Sequence, residues 1–148
     1  MFSAAFAAPR VTYRDGSGKI TGSATTNGSI TTYRDSSGKV VGSSTRSGTR
    51  IIYRDSSGRV TGTAVQNGSH TTYRDSRGRI SGGATVNGDQ TVYRDRSGKL
   101  TGSSASTGSR VTCRDSSGRI TGTASGTEGE DSSIARDAFF RVNPPESK

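Results

Sequence analysis

The chain repeats itself every twenty residues. The stretch Tyr-Arg-Asp-Ser-Ser-Gly-Arg stands at Tyr53–Arg59 and returns, lightly edited, from Tyr13, Tyr33, Tyr73 and Tyr93, with Cys113 taking the tyrosine slot in a sixth copy. No copy is longer or shorter than the others. A period this strict makes each copy one small structural unit, and a twenty-residue unit cannot bury much alone. It must bury its apolar face against its neighbours. Composition sharpens that constraint: 26% of residues are hydrophobic, 6% are aromatic and none is Trp. An ordinary compact domain carries nearly twice that apolar share. Without the period, so much Gly, Ser and Thr would read as disorder.

The copies run Arg10–Ser29, Ile30–Thr49, Arg50–Ser69, His70–Asp89, Gln90–Ser109 and Arg110–Gly129. Each reads as two short strands and two turns, so the repeats are predicted to be all-β, with no helix. Strand one is a stretch such as Arg10-Val11-Thr12-Tyr13-Arg14, whose β-branched and aromatic residues suit a pleated surface. Asp15-Gly16-Ser17-Gly18 then turns the chain: Asp bonds its own backbone two residues on, and Gly tolerates positive φ. Strand two is Lys19–Thr25. The second turn is read at Asn27-Gly28, Asn67-Gly68 and Asn87-Gly88 as type I′, with Ser47-Gly48 and Thr107-Gly108 as weaker versions.

Alternation along strand two puts Ile20, Gly22 and Ala24 on one face and Lys19, Thr21, Ser23 and Thr25 on the other. The apolar face of a repeat therefore holds Tyr13, Ile20 and Ala24, with Val11. Glycine normally weakens a strand interior, yet Gly22, Gly42, Gly62, Gly82, Gly102 and Gly122 recur. Room for an aromatic ring lying across the backbone would explain them, with Tyr13, Tyr33, Tyr53, Tyr73 and Tyr93 as the rings. Two architectures fit: an antiparallel meander that curls or spirals, or a narrow solenoid with one repeat per rung. Six rungs at about 4.8 Å would make a rod about 29 Å long.

The segments outside the repeats read differently. Residues 1–9 form a disordered N-terminus or the remnant of a trimmed signal, since Met1–Pro9 has no basic start and too short an apolar run for a complete one. Residues 130–148 form a tail in which Asp131-Ser132-Ser133 is a candidate helix cap before Ile134–Val142, and Pro144-Pro145 stops that helix. This tail is expected to cover an open sheet edge at the end of the array. Cys113 is the only cysteine, so no internal disulfide is available. It reads as a small buried substitute for tyrosine. No stretch is long and apolar enough for a transmembrane helix.

The net charge of the chain is +9. Much of it recurs with the repeat. Arg14, Arg34, Arg54, Arg74, Arg94 and Arg114 form one basic row, and Lys19, Lys39, Arg59, Arg79, Lys99 and Arg119 a second. Such rows could track an anionic polymer or surface, with any exposed Tyr stacking on single-stranded bases. The plainer reading is solubility and protection of strand edges. Asp15 is expected to pair with Lys19 across its own turn.

The residues Asp-x-x-Gly-[Arg/Lys]-aliphatic, following a Tyr and returning every twenty residues, resemble the Rhs/YD repeats. The match here is Asp55, Gly58, Arg59 and Val60, and likewise Asp115, Gly118, Arg119 and Ile120; it covers Arg10–Ala124. It departs from those repeats in one place, where an Arg separates Tyr from Asp. The resemblance implies a secreted or surface β-hairpin spiral that wraps cargo or contacts glycans. The strand-turn-strand rhythm alone is similar to that of the curli subunits, which stack into extracellular fibres.

Little points to an enzyme. His70 is the only His, and Arg10, Ile30, Arg50, Gln90 and Arg110 occupy its slot elsewhere. The six turn aspartates recur because the turn recurs, whereas a catalytic acid needs one specialised neighbourhood. One carboxylate per turn is too few oxygens for calcium. The expectation is a non-enzymatic structural or adhesive protein without cofactor or metal, outside the cell or at its surface. Its expected partners are further copies of itself, through edges or ends, or an anionic polymer or surface.

Overall fold

A computed structural model describes residues 9–126. It contains twelve strands in chain order: β1 (Arg10–Asp15), β2 (Ile20–Asn27), β3 (Ile30–Asp35), β4 (Val40–Ser47), β5 (Arg50–Asp55), β6 (Val60–Asn67), β7 (His70–Asp75), β8 (Ile80–Asn87), β9 (Gln90–Asp95), β10 (Leu100–Thr107), β11 (Arg110–Asp115) and β12 (Ile120–Gly126). Every strand pairs antiparallel with the next, and β12 pairs with β1, so the sheet closes into a barrel. The meander reading holds at that level. The solenoid and the open spiral do not: the strands run up and down around one axis, and no rod of stacked rungs forms.

The closure has a register basis. Tyr13 pairs with Gly22, and Gly22 pairs with Asp35, so crossing one repeat advances twenty-two residues where the sequence period is twenty. Each repeat thus slips by two residues, and six repeats accumulate a stagger of twelve. The seam keeps the same register as every internal junction: Tyr13 faces Ala124 as Tyr33 faces Ala24. Twelve strands with that stagger, spaced about 4.8 Å and rising about 3.3 Å per residue, tilt by about 35° on a radius of about 11 Å. Six equal steps that return to their start carry no net rise, so equivalent residues of the six repeats lie in common planes.

The interior is built from one large side chain set between small ones. Tyr13, Tyr33, Tyr53 and Tyr93 are buried, Tyr73 is half-buried, and Cys113 is completely enclosed. Each tyrosine is flanked by a glycine on one neighbouring strand and by Ala or Ser on the other, as Tyr33 is by Gly42 and Ala24. Gly42 has a second reason: a Cβ there would meet the Arg54 carbonyl oxygen of the next strand at 2.6 Å. Tyr13, Ala24, Tyr33, Val111, Cys113 and Ala124 pack as one cluster, and Ile51, Tyr53 and Ala64 as another. Twelve strands enclose more space than side chains of ordinary size fill, and the ring of tyrosines answers that.

Two local expectations change. The residues of the second turn are Gly28-Ser29, with Asn27 closing the strand against Ile30. Gly28 has φ near 60°, and no described non-glycine residue has positive φ. That is the two-residue turn with Gly first, type II′, not type I′. Gly48-Thr49 and Gly108-Ser109 therefore serve as well as the copies preceded by Asn. The second change concerns Ile20. The register shifts between Tyr13 and Arg14, where Gly22 and then Ile20 are the partners, leaving Thr21 as an extra residue. This bulge reverses the facing of everything before it, so Ile20 points outward beside Arg14. The expected C-terminal helix and its capping role lie outside the described residues. The strand edge it was expected to cover is already paired with β1.

Candidate polyanion-binding rim

Hairpin topology sends all six Asp-x-x-Gly turns to one end of the barrel. Each is built alike. In the first, Gly18 N–H donates to the Asp15 carbonyl at 3.0 Å, and Asp15 N–H to the Lys19 carbonyl at 2.9 Å. Gly18 takes a φ of 87°, which makes this a type I turn closed by a glycine bulge. The Asp15 carboxylate sits inside the loop. It accepts the Ser17 N–H at 2.9 Å, the Ser17 hydroxyl at 2.6 Å and the Lys19 main-chain N–H at 3.1 Å. The expected pairing of Asp15 with Lys19 thus runs through the Lys19 backbone amide.

These bonds hold the turn carboxylates below their ordinary value. For Asp15 the Ser17 hydroxyl is the main cause, and the backbone amides of Lys19 and Ser17 add to it. Asp75 differs because Arg77 stands in the hydroxyl position; there the Arg79 amide leads. All six aspartates are half-buried at the lip of the barrel, and their carboxylates bond within the turn, so their charge is spent on turn geometry.

The arginine row is anchored to the same turns. Arg14 Nη1 donates to the Gly18 carbonyl at 2.9 Å, and Arg34, Arg54, Arg74, Arg94 and Arg114 make the same bond to Gly38, Gly58, Gly78, Gly98 and Gly118 at 2.9 to 3.0 Å. A guanidinium carries five N–H donors, so this bond fixes its place while most of the fork remains for other acceptors. Five of these side chains are exposed and Arg74 is half-buried; Lys19, Lys39, Arg59, Arg79, Lys99 and Arg119 are all exposed. Sequence reading found both rows. It did not find Arg77 and Arg96, which sit in variable turn positions and join the same rim. Fourteen cations against six aspartates leave this end at +8.

The other predicted elements fall elsewhere. The tyrosines face the lumen, so stacking on bases is closed to Tyr13, Tyr33, Tyr53 and Tyr93. Burial, with the neighbouring Tyr33 and Cys113, pushes the Tyr13 phenol well above its ordinary value of 10.0 and keeps it neutral. His70 lies at the opposite end, with Nδ1 3.2 Å from Thr85 Oγ1. That end carries Arg46, whose Nη2 donates to Gln66 Oε1 of the next repeat at 3.4 Å. No helix among the described residues is long and apolar enough to cross a membrane. Compared with family models, with curated proteins and with solved structures, the chain matches none.

Proposed function

We propose that this is a non-enzymatic repeat scaffold, acting outside the cell or at its surface, whose barrel presents a cationic rim to an anionic polymer or surface. One observation carries the reading: six arginines, each bonded to its own turn, stand in one plane with six further Lys or Arg. Anchoring matters because an ordered cation loses little side-chain freedom on binding. Neighbouring repeats stand about one radius apart, about 11 Å, which is close to the screening length at 0.1 M salt. The rim therefore acts as a unit at low and moderate ionic strength. The likeness to Rhs/YD repeats supports the adhesive role and the location. Its cargo-wrapping side does not transfer easily, because here the lumen is filled by the barrel's own tyrosines. Fibre assembly through strand edges would require an open barrel, since the described strands are all paired on both sides.

Binding of fluorescent heparin and of a single-stranded oligonucleotide, measured against salt, tests this reading. The logarithm of affinity should fall linearly with the logarithm of salt, with a slope of about −3 or steeper for four or more phosphates or sulfates engaged. Arg34→Glu with Arg94→Glu should abolish binding, while Arg50→Glu with Arg110→Glu at the far end should barely change it. Salt-independent binding, or no binding of any polyanion at low salt, would overturn the proposal.

A further inference from the structure

Directly beneath the cationic turns, a ring of aliphatic side chains stands in solvent. Ile20, Val40, Val60, Ile80, Leu100 and Ile120 are exposed at 44%, 36%, 39%, 49%, 39% and 48%. Each is the cross-strand partner of the row arginine in its repeat: Arg14 with Ile20, Arg54 with Val60, Arg114 with Ile120. The outside of this end is thus a collar in which arginine and aliphatic residue alternate around the barrel. Single exposed aliphatics are ordinary. A ring of six at one height is a different matter, because it sets an exposed apolar group beside every row arginine in one belt around the barrel.

The collar is one layer deep. The next positions facing that way along strand two are Ser23, Ser43, Thr63, Gly83, Ser103 and Thr123, of which Ser23 and Thr123 are buried; Ile52 and Val92, beside them on strand one, are half-buried. A barrel that spans a bilayer needs an apolar band about 25 Å tall, and this exterior does not carry it. A shallow apolar ring with cations beside and beyond it has the composition of an element that lies in the headgroup region of a membrane. The planarity of the rim narrows the choice further. Six equivalent turns in one plane meet a flat surface together, whereas a thread-like polymer touches only an arc of them.

We infer that the barrel docks end-on to an anionic phospholipid bilayer. The arginines and lysines of the rim take lipid phosphates and carboxylates, and the six aliphatic side chains enter the boundary between headgroups and acyl chains. Anionic leaflets attract basic segments in this way. The inference rests on the reading that the rim binds anions, and it adds the class of partner.

Sedimentation of the full chain with phosphatidylcholine vesicles, with and without phosphatidylserine, tests it beside the triple variant Ile20→Ser, Ile80→Ser, Ile120→Ser. The parent should sediment with the phosphatidylserine vesicles only. The variant should lose about fivefold per substituted side chain, so about a hundredfold, in vesicle affinity. Its heparin affinity and its thermal melt should match the parent's, because the three side chains are outside the core. A variant that binds these vesicles as tightly as the parent overturns the inference, since charge alone then suffices. So does a parent that binds heparin but no vesicle, which makes a soluble polyanion the partner. A parent that binds neither overturns the rim reading as well.

Discussion

Tyr33 and Tyr93 show how a single residue tunes a repeat. Their hydroxyls lie 2.8 Å from Ser44 Oγ and 3.1 Å from Ser104 Oγ. Ser stands at those two positions where Ala24, Ala64, Ala84 and Ala124 stand in the other repeats. Ser44 is 3% exposed, so removing its partner strands a buried hydroxyl. Tyr33→Phe should cost about 1–3 kcal/mol. Adding Ser44→Ala should recover most of that, because the pair then resembles an apolar neighbour repeat. Urea unfolding of the two single variants and the double variant measures the coupling; simple additivity would show that the bond does not carry the effect. The tyrosines and glycines were legible in the sequence, since they recur at fixed places on a strand. The Ser partners were not, because which residue faces Tyr33 depends on a register that no single strand contains.

At the scale of the element, the Asp-x-x-Gly turn was legible except for the Lys19 partner of Asp15, which is the backbone amide. Asp, Gly and their spacing dictate the loop chemistry locally, and each copy repeats the message. The Gly28-Ser29 turn was misread by one position, since both turn types place a glycine after Asn27. The facing of Ile20 was misread because alternation assumes an unbroken ladder, and the bulge at Thr21 resembles any other Thr-Gly step. The turns also set an acid limit. A carboxylate held below its ordinary value of 3.8 when folded contributes stability above that pH. That contribution is lost as pH falls through the folded value. The melting temperature should stay level above about pH 5 and drop progressively below about pH 4. Asp55→Asn should flatten that drop more than Asp75→Asn, because Asp75 lacks the hydroxyl bond of its sisters. Melts recorded from pH 2 to pH 7 check both statements, and equal effects of the two substitutions would remove the hydroxyl from the account.

At the scale of the molecule, closure was not legible. Nothing in a twenty-residue repeat states that its neighbour slips by two residues, and only that slip, accumulated six times, decides whether the sheet meets itself. The closed form makes the first and last strands equivalent to any other pair, since Tyr13 with Ala124 repeats Tyr33 with Ala24. A circular permutant should therefore fold. Joining Gly126 to Arg10 through an Asn-Gly-Ser link and opening the chain between Gly68 and Ser69 should keep stability within about 1 kcal/mol of the parent, because termini at exposed turns are well tolerated. A permutant that is unfolded, or loses the buried near-ultraviolet tyrosine signal, would mean the natural seam has a private role.

That equivalence also sets an order of events. Eleven of the twelve strand pairings join neighbours in sequence and can zip quickly, one hairpin after another. The twelfth joins Tyr13 to Ala124 across nearly the whole chain, so it forms late and against the largest loop entropy. Until it forms, the growing sheet has two bare margins that recognise each other by a register shared with every other copy of the chain. Intramolecular closure then races capture by a second chain, and dilution decides the winner. Refolding at high concentration should yield strand-exchanged oligomers that do not revert on dilution, whereas refolding at low concentration should yield monomers.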